Sequence, residues 1–191
     1  MIVVKIGGSL YSSSHLSEWI NQIVKAGKQR IVIVPGGGPF ADHIRDTDQQ
    51  FGLSAECSHD MAVLAMQQFG RMMCDLNRSL ELVHTAEELK TISSSAVWAP
   101  YQLVSRHCPY PKNWQTSADS LSVWLASYIN ASHLCLVKSA QINPDHDEAI
   151  SSDLVDDYFA TALSEYQGAL HFYHASEASV FTRHCENGYF K

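Results

Sequence analysis

Two short runs of consecutive apolar residues, Ile2-Val3-Val4-Lys5-Ile6 and Ile31-Val32-Ile33-Val34, show no alternation with polar positions, and each runs directly into glycines. Unbroken β-branched runs of this length predict strands buried on both faces. Between them, over residues 14–26, Leu16, Trp19, Ile20, Ile23 and Val24 recur at helical spacing, and Gly27 supplies a stop. The pattern then alternates along the chain. A helix follows Gly38, carrying Phe40, Ala41 and Ile44 on its apolar face, and a longer helical stretch rich in Met, Ala and Leu runs from about Ser58 to Asn77. Leu80–His84 and Ala96–Trp98 are weaker strand candidates, and 104–114, with Pro109 and Pro111, reads as a loop. Residues 117–129 read as a helix started by Thr116 or Ser117 as cap, Leu134–Val137 as a buried strand, 154–166 as a helix and Leu170–Tyr173 as a last strand. Short apolar strands alternating with helices predict an α/β sandwich of three layers, helices on both faces of a mostly parallel sheet.

Composition narrows this picture. At 191 residues and 46% hydrophobic content the chain is sized for a single domain, 1–191. It has no internal repeat. No apolar run reaches the length of a membrane span and the chain opens on a strand, so a cytoplasmic protein without a membrane partner is expected. The five cysteines are scattered, odd in number and without CxxC spacing, which argues against a disulfide framework or a zinc site. Ten histidines form no HxxxH or HExxH pattern, so no protein-held metal is expected. The net charge of −7, with no run of Lys or Arg, argues against nucleic acid as partner.

The chemistry concentrates where the first two strands end, in Gly7-Gly8-Ser9 and Pro35-Gly36-Gly37-Gly38. A glycine-rich turn between a strand and a helix aims bare backbone N–H groups and the positive end of the helix dipole at an anion. Two such turns on neighbouring strands can hold two anions face to face, as a phosphoryl donor and acceptor require. Glycines also occur at such turns only for φ > 0 or tight packing. Lys5 stands in an otherwise apolar strand, either as a charge with a buried partner or as an edge residue reaching water. The Walker pattern is absent. Gly36, Gly38 and Ala41 do satisfy G-x-G-x-x-A, but the acidic residue at the expected distance, Glu56, lies in 53–60, which has no strand character; a dinucleotide-binding domain is disfavoured.

Val4-Lys5-Ile6-Gly7-Gly8-Ser9, then Val34-Pro35-Gly36-Gly37-Gly38, then Thr116-Ser117-Ala118-Asp119-Ser120-Leu121 together resemble the amino acid kinase family, in order and spacing, over residues 1–140. The resemblance implies a carbamate kinase-like fold and transfer of the γ-phosphoryl group of ATP, with Mg2+, to a small-molecule acceptor in a homo-oligomeric enzyme. By the same resemblance Lys5 stabilises charge on the transferring group, Gly7, Gly8 and Ser9 contact the donor phosphates, and Gly36, Gly37 and Gly38 donate N–H bonds at the acceptor end. Asp119 takes the place of an aspartate that orients the lysine, its alternative being a first-turn carboxylate that serves only the helix dipole. Lys138, ending the strand Leu134–Val137, is either a nucleotide-phosphate ligand or a solvated strand-end residue. His59 and Asp60 are acceptor-site candidates or helix caps. On this reading 1–130 carries the acceptor and catalytic parts and 131–191 a shortened nucleotide-binding part.

Two departures stand out. Relatives have an Asp-Gly turn where this chain has Ala140-Gln141-Ile142 and then Asn143-Pro144-Asp145, and no late glycine-rich motif with a second lysine occurs in 150–191. The compact outline, with Pro39-Phe40-Ala41-Asp42, His59-Asp60-Met61-Ala62 and Gln67 to Gly70, is similar to the small kinases tied to methanofuran and related one-carbon cofactors. That likeness implies a furanylmethyl phosphate bearing an aminomethyl group as acceptor and a diphosphate as product. Asp42, Glu56 and Asp60 stand close behind the second glycine turn, either to meet the amine or as plain solvated carboxylates. Acylamino acid, aspartate or isopentenyl phosphate as acceptor, or a binder without turnover, remain the alternatives.

Overall fold

A computed structural model describes residues 1–27, 29–140 and 154–190. The apolar runs form the centre of a six-stranded sheet: β1 (Ile2–Ile6) and β2 (Ile31–Pro35) are buried at every position. With β3 (Glu81–Val83), β4 (Ser95–Trp98), β5 (His133–Lys138) and β6 (Ala169–His174), the order is β3-β4-β2-β1-β5-β6. Every pairing is parallel. A parallel sheet needs both faces covered, and the helices do so.

One face packs Val3, Val32, Val34, Leu134 and Leu136 beneath α6 (Ala118–Tyr128), α7 (Phe159–Leu163) and the first half of α3 (Ala55–Leu76). The opposite face packs Val4, Ile6, Ile31, Ile33 and Val137 against α1 (His15–Lys25), α8 (Ala178–Glu186) and the second half of α3. The remaining helices are α2 (Gly38–Phe51), α4 (Ala86–Thr91) and α5 (Tyr101–His107). The protein is a three-layer αβα sandwich, as the alternation of strands and helices predicts. Period-two alternation has a direct consequence for the site. Lys5, two residues after Val3, and Lys138, two after Leu136, both point to the face that α6 covers.

Several local expectations need correction. Residues 101–107 form α5, so the loop expected over 104–114 begins only after His107; Pro109 and Pro111 break the chain later than the apolar pair Leu103 and Val104, which bury in the core. The helix expected over 154–166 shrinks to Phe159–Leu163: the Leu154 carbonyl accepts from Lys138 and the Tyr158 N–H, which would meet that carbonyl in a helix, donates to Gln115 O instead. α4, with its Thr85–Glu88 capping box, and α8 were not expected. The altered turn at 141–145 lies outside the described residues.

Candidate active site

Lys5 sits mid-sheet, in register with Val34 on one side and Leu136 on the other, and is only 5% exposed. An edge position is therefore excluded, and a buried ammonium needs a partner. Asp119, in the first turn of α6, supplies it: Lys5 Nζ lies 2.8 Å from Asp119 Oδ1. Lys138 Nζ donates to both carboxylate oxygens of Asp119, each at 2.8 Å, and to the Leu154 carbonyl at 2.7 Å. Two ammonium groups thus share one buried carboxylate.

The electrostatics follow from that count. Burial alone would push the Asp119 carboxyl upward; Lys5 first, then Lys138, outweigh it and hold the carboxyl below its usual range. Lys138 goes the other way. Burial and then the neighbouring Lys5 drive its ammonium down to about 8, against Asp119 and Asp156, which favour its charge. With all three ionised the cluster carries one uncompensated positive charge in a water-poor site, where an anion gains most.

The glycine turns close over this cluster backbone to backbone. A Cβ on Gly8 would lie 2.5 Å from Gly38 N, and one on Gly36 would lie 2.4 Å from Gly8 N, so the two turns meet at a distance no side chain permits. After Gly7 the chain makes a short 3-10 turn over Gly8–Ser12, and Gly38 starts α2 at φ +56, with Pro39 in the first turn where its missing N–H costs nothing. Not every predicted donor is available. Gly7 N–H is spent on Val137 O and Gly36 N–H on Ile6 O, extending the sheet ladder. Among the described residues, the N–H groups of Gly8, Ser9, Gly37 and Gly38 donate to no backbone carbonyl. Ser9 Oγ meets Ser139 Oγ at 2.8 Å and ties the first turn to the end of β5.

A cavity of about 430 Å³ opens beside Lys5 and the turns. Its inner wall is Ala62, Val63, Met66 and Leu121; His59 and Thr116 face it as well. Both polar side chains are buried, and neither the two ring nitrogens of His59 nor Thr116 Oγ1 has a hydrogen-bond partner. The carboxylate oxygen Asp60 Oδ1 stands 3.8 Å from His59 Nδ1, too far to bond. Burial lowers the His59 pKa below its ordinary value, so the ring is neutral near pH 7 and presents one donor and one acceptor. Buried orphans of this kind cost about 1–3 kcal/mol each unless a ligand satisfies them.

Arg45, Asp42 and Trp114 form the rim. Arg45 Nη1 donates to Asp42 at 2.6 Å, its guanidinium lies 4.9 Å from the Trp114 ring centre, and Trp114 Nε1 donates to Asp48 at 2.8 Å. Asp60 and Glu56 are not at the cavity. Lys112 turns both outward, at 2.7 Å from Glu56 Oε1 and 3.7 Å from Asp60 Oδ1. Of the three carboxylates expected to meet an amine, only Asp42 lines the cavity, and Arg45 already pairs with it. Thr116, Trp114 and Arg45 are not among the site residues expected from the sequence, where Thr116 enters only as a helix start and as the first residue of the third family motif. Among the described residues no group of three or more His, Cys, Asp or Glu could hold a metal ion, and no helix is long and apolar enough to cross a membrane.

A family model described as the amino acid kinase family matches residues 1–99. The [5-(aminomethyl)furan-3-yl]methyl phosphate kinase of Methanocaldococcus jannaschii is 28% identical over 134 residues. That match covers 68% of this chain and 62% of the relative, so the chain spans less than two thirds of its length. Among solved structures, the UMP kinase of Bacillus anthracis superposes with a TM-score of 0.70 at 15% identity, covering 97% of this chain and 91% of the other. The uridylate kinase of Archaeoglobus fulgidus gives 0.64 at 17%, covering 95% of each chain, and an isopentenyl phosphate kinase gives 0.62 at 14%, covering 98% of this chain and 96% of that one. At these identities the superpositions speak for the fold alone.

Proposed function

The chain belongs to the amino acid kinase family, and from that premise we propose that it transfers the γ-phosphoryl group of MgATP to a small phosphorylated acceptor. The acceptor we favour is a furanylmethyl phosphate with an aminomethyl substituent, the molecule named for the M. jannaschii relative. The observation that carries the reading is the buried Lys5–Asp119–Lys138 cluster beside a cavity with two unsatisfied polar side chains.

In this reading an oxygen of the acceptor phosphate attacks the γ-phosphorus while the bond to the β,γ-bridging oxygen breaks, giving a diphosphate and ADP. Little covalent chemistry falls to the protein; alignment and countercharge do the work. Lys5 meets the charge on the transferring group. Lys138 and the N–H groups of Gly8 and Ser9 hold the donor phosphates, with Gly7 shaping that turn. Mg2+ enters on the ATP phosphates. Gly37 and Gly38 N–H groups face the acceptor oxygen, while His59 and Thr116 satisfy the acceptor's polar atoms and Ala62, Val63, Met66 and Leu121 take its apolar body. Residues 1–130 then carry the acceptor and catalytic parts, and 131–191 the shortened nucleotide part.

The test is ADP release from MgATP against small phosphates, acylamino acids, aspartate and isopentenyl phosphate. Fastest turnover is expected on a phosphate monoester with a compact, partly apolar body. Preference for an unphosphorylated amino acid would overturn the acceptor assignment; tighter binding of NAD or NADP than of MgADP would overturn the kinase reading.

A further inference from the structure

Asp156 has no role in the mechanism above, yet it is the most heavily bonded carboxylate near the cluster. Its Oδ2 accepts from Ser117 N–H at 3.0 Å, from Ser117 Oγ at 2.7 Å and from Ser120 N–H at 3.0 Å, and its Oδ1 accepts a short bond from Ser120 Oγ. A helix start leaves free N–H groups that a side chain near the first turn normally satisfies. The Ser117 side chain makes no such bond within α6. The cap comes instead from a carboxylate more than thirty residues downstream.

What that cap encloses matters. Ser117 and Ser120 bracket Asp119, so the four bonds fix the single helical turn from which the Asp119 carboxylate reaches Lys5 and Lys138. Two residues before Asp156, the Leu154 carbonyl accepts from Lys138 Nζ. One short stretch of chain therefore holds both the helix turn bearing the organising carboxylate and one of the two lysines it organises.

We propose that Asp156 is a positioning residue for phosphoryl transfer: it clamps the N-terminal turn of α6 so that Asp119 keeps Lys5 and Lys138 aligned. The consequence for turnover rests on the kinase reading; the coupling within the cluster does not. Lys138 is faced by Asp119 from α6, by Lys5 from β1 and by Asp156 from the stretch before α7. Removing the Asp156 charge and loosening the turn both lower the pH at which Lys138 loses its proton.

The experiment compares the wild type with Asp156→Asn, Asp156→Glu and Ser120→Ala in the full chain. It reads the titration of lysine side-chain nitrogens by NMR, thermal unfolding, and kcat and KM for ADP formation across pH. In Asp156→Asn the Lys138 midpoint is expected to fall below about 8. Its kcat should drop by at least about tenfold, within the loss that a displaced catalytic group causes, while KM for nucleotide changes by less than about threefold and the alkaline limb moves to lower pH. Asp156→Glu should restore the midpoint and part of kcat. Ser120→Ala keeps the charge and removes one bond of the clamp, and should lower kcat without moving the midpoint as far; it also carries the test if Asp156→Asn does not fold. A lower melting temperature with unchanged kcat and midpoint would reduce Asp156 to a helix cap and overturn the proposal. If the midpoint moves in Ser120→Ala as well as in Asp156→Asn but the wild type forms no ADP with any acceptor, the clamp stands and the kinase reading falls.

Discussion

Replacing Lys138 with methionine should leave stability at neutral pH about unchanged, remove its rise with pH, and abolish the proposed activity. Lys138 titrates at about 8 in the folded chain against an ordinary value of 10.5. Between those two pH values the unfolded chain binds the proton and the folded one releases it, so stability rises with pH across the window. Below about pH 8 the folded protein carries a buried ammonium it disfavours. At about 1.4 kcal/mol per pH unit for one proton, that interval corresponds to about 3 kcal/mol. Methionine fills similar volume without the charge and leaves Lys5 and Asp119 as a simple pair at 2.8 Å. It also strips the Leu154 carbonyl and both Asp119 oxygens of a donor, at a cost of about 1 kcal/mol each. The net expectation is a variant about as stable as wild type at pH 7, with wild type gaining about 2 kcal/mol over it by about 1.5 pH units above pH 8. Chemical denaturation of both proteins from pH 7 to 9.5 measures the difference. A gap that does not change with pH would refute the argument that Lys138 is held charged against its preference. A buried charge kept at such a cost is what a functional site looks like energetically.

The same cluster makes three further expectations. Lys5→Ala should fold and lose at least about a hundredfold in turnover, the scale for one preorganised charge donor, and adding Asp119→Asn should cost far less than the two separate losses combined, because groups acting as a unit are not additive; steady-state kinetics of the single and double variants decide, and additive losses would leave Asp119 serving the helix alone. Gly8→Ala should lower both the melting temperature and MgADP affinity by calorimetry, since its Cβ would press to 2.5 Å on Gly38 N. His59→Phe and Thr116→Val should raise KM for the acceptor with stability unchanged or higher, because each removes a buried polar group that has no partner in the free protein; a loss of stability with normal KM would make both residues structural.

How much of this was legible depends on how local each signal is. The central strands were readable because both faces are buried, which writes an unbroken apolar run into the sequence. Alternation within each strand did not by itself join Lys5 and Lys138; the β1–β5 register, with Lys5 beside Leu136, puts both on one face. That Asp119 meets them came only through the family resemblance, since no periodicity joins a helix's first turn to a strand 19 residues on. The misses divide in the same way. The Thr85–Glu88 capping box and the apolar positions 178, 181 and 185 of α8 were local signals that went unread. Glu56 and Asp60 looked like acceptor groups because they follow the glycine turn, and nothing near them announces Lys112, which draws them away from more than fifty residues downstream.

Asp156 is the instructive extreme. Within Leu154-Val155-Asp156-Asp157-Tyr158 it looks like an ordinary helix-start carboxylate, and a cap was indeed expected near Thr116 or Ser117. The helix does begin there, but the capping oxygen belongs to a distant segment, and only the fold brings it in. A cap supplied from within the helix would stabilise α6 alone. One supplied from the chain that also grips Lys138 ties the order of that segment to the geometry of both lysines, so a perturbation of residues 154–156 should be read first in Lys138 and only afterwards in global stability.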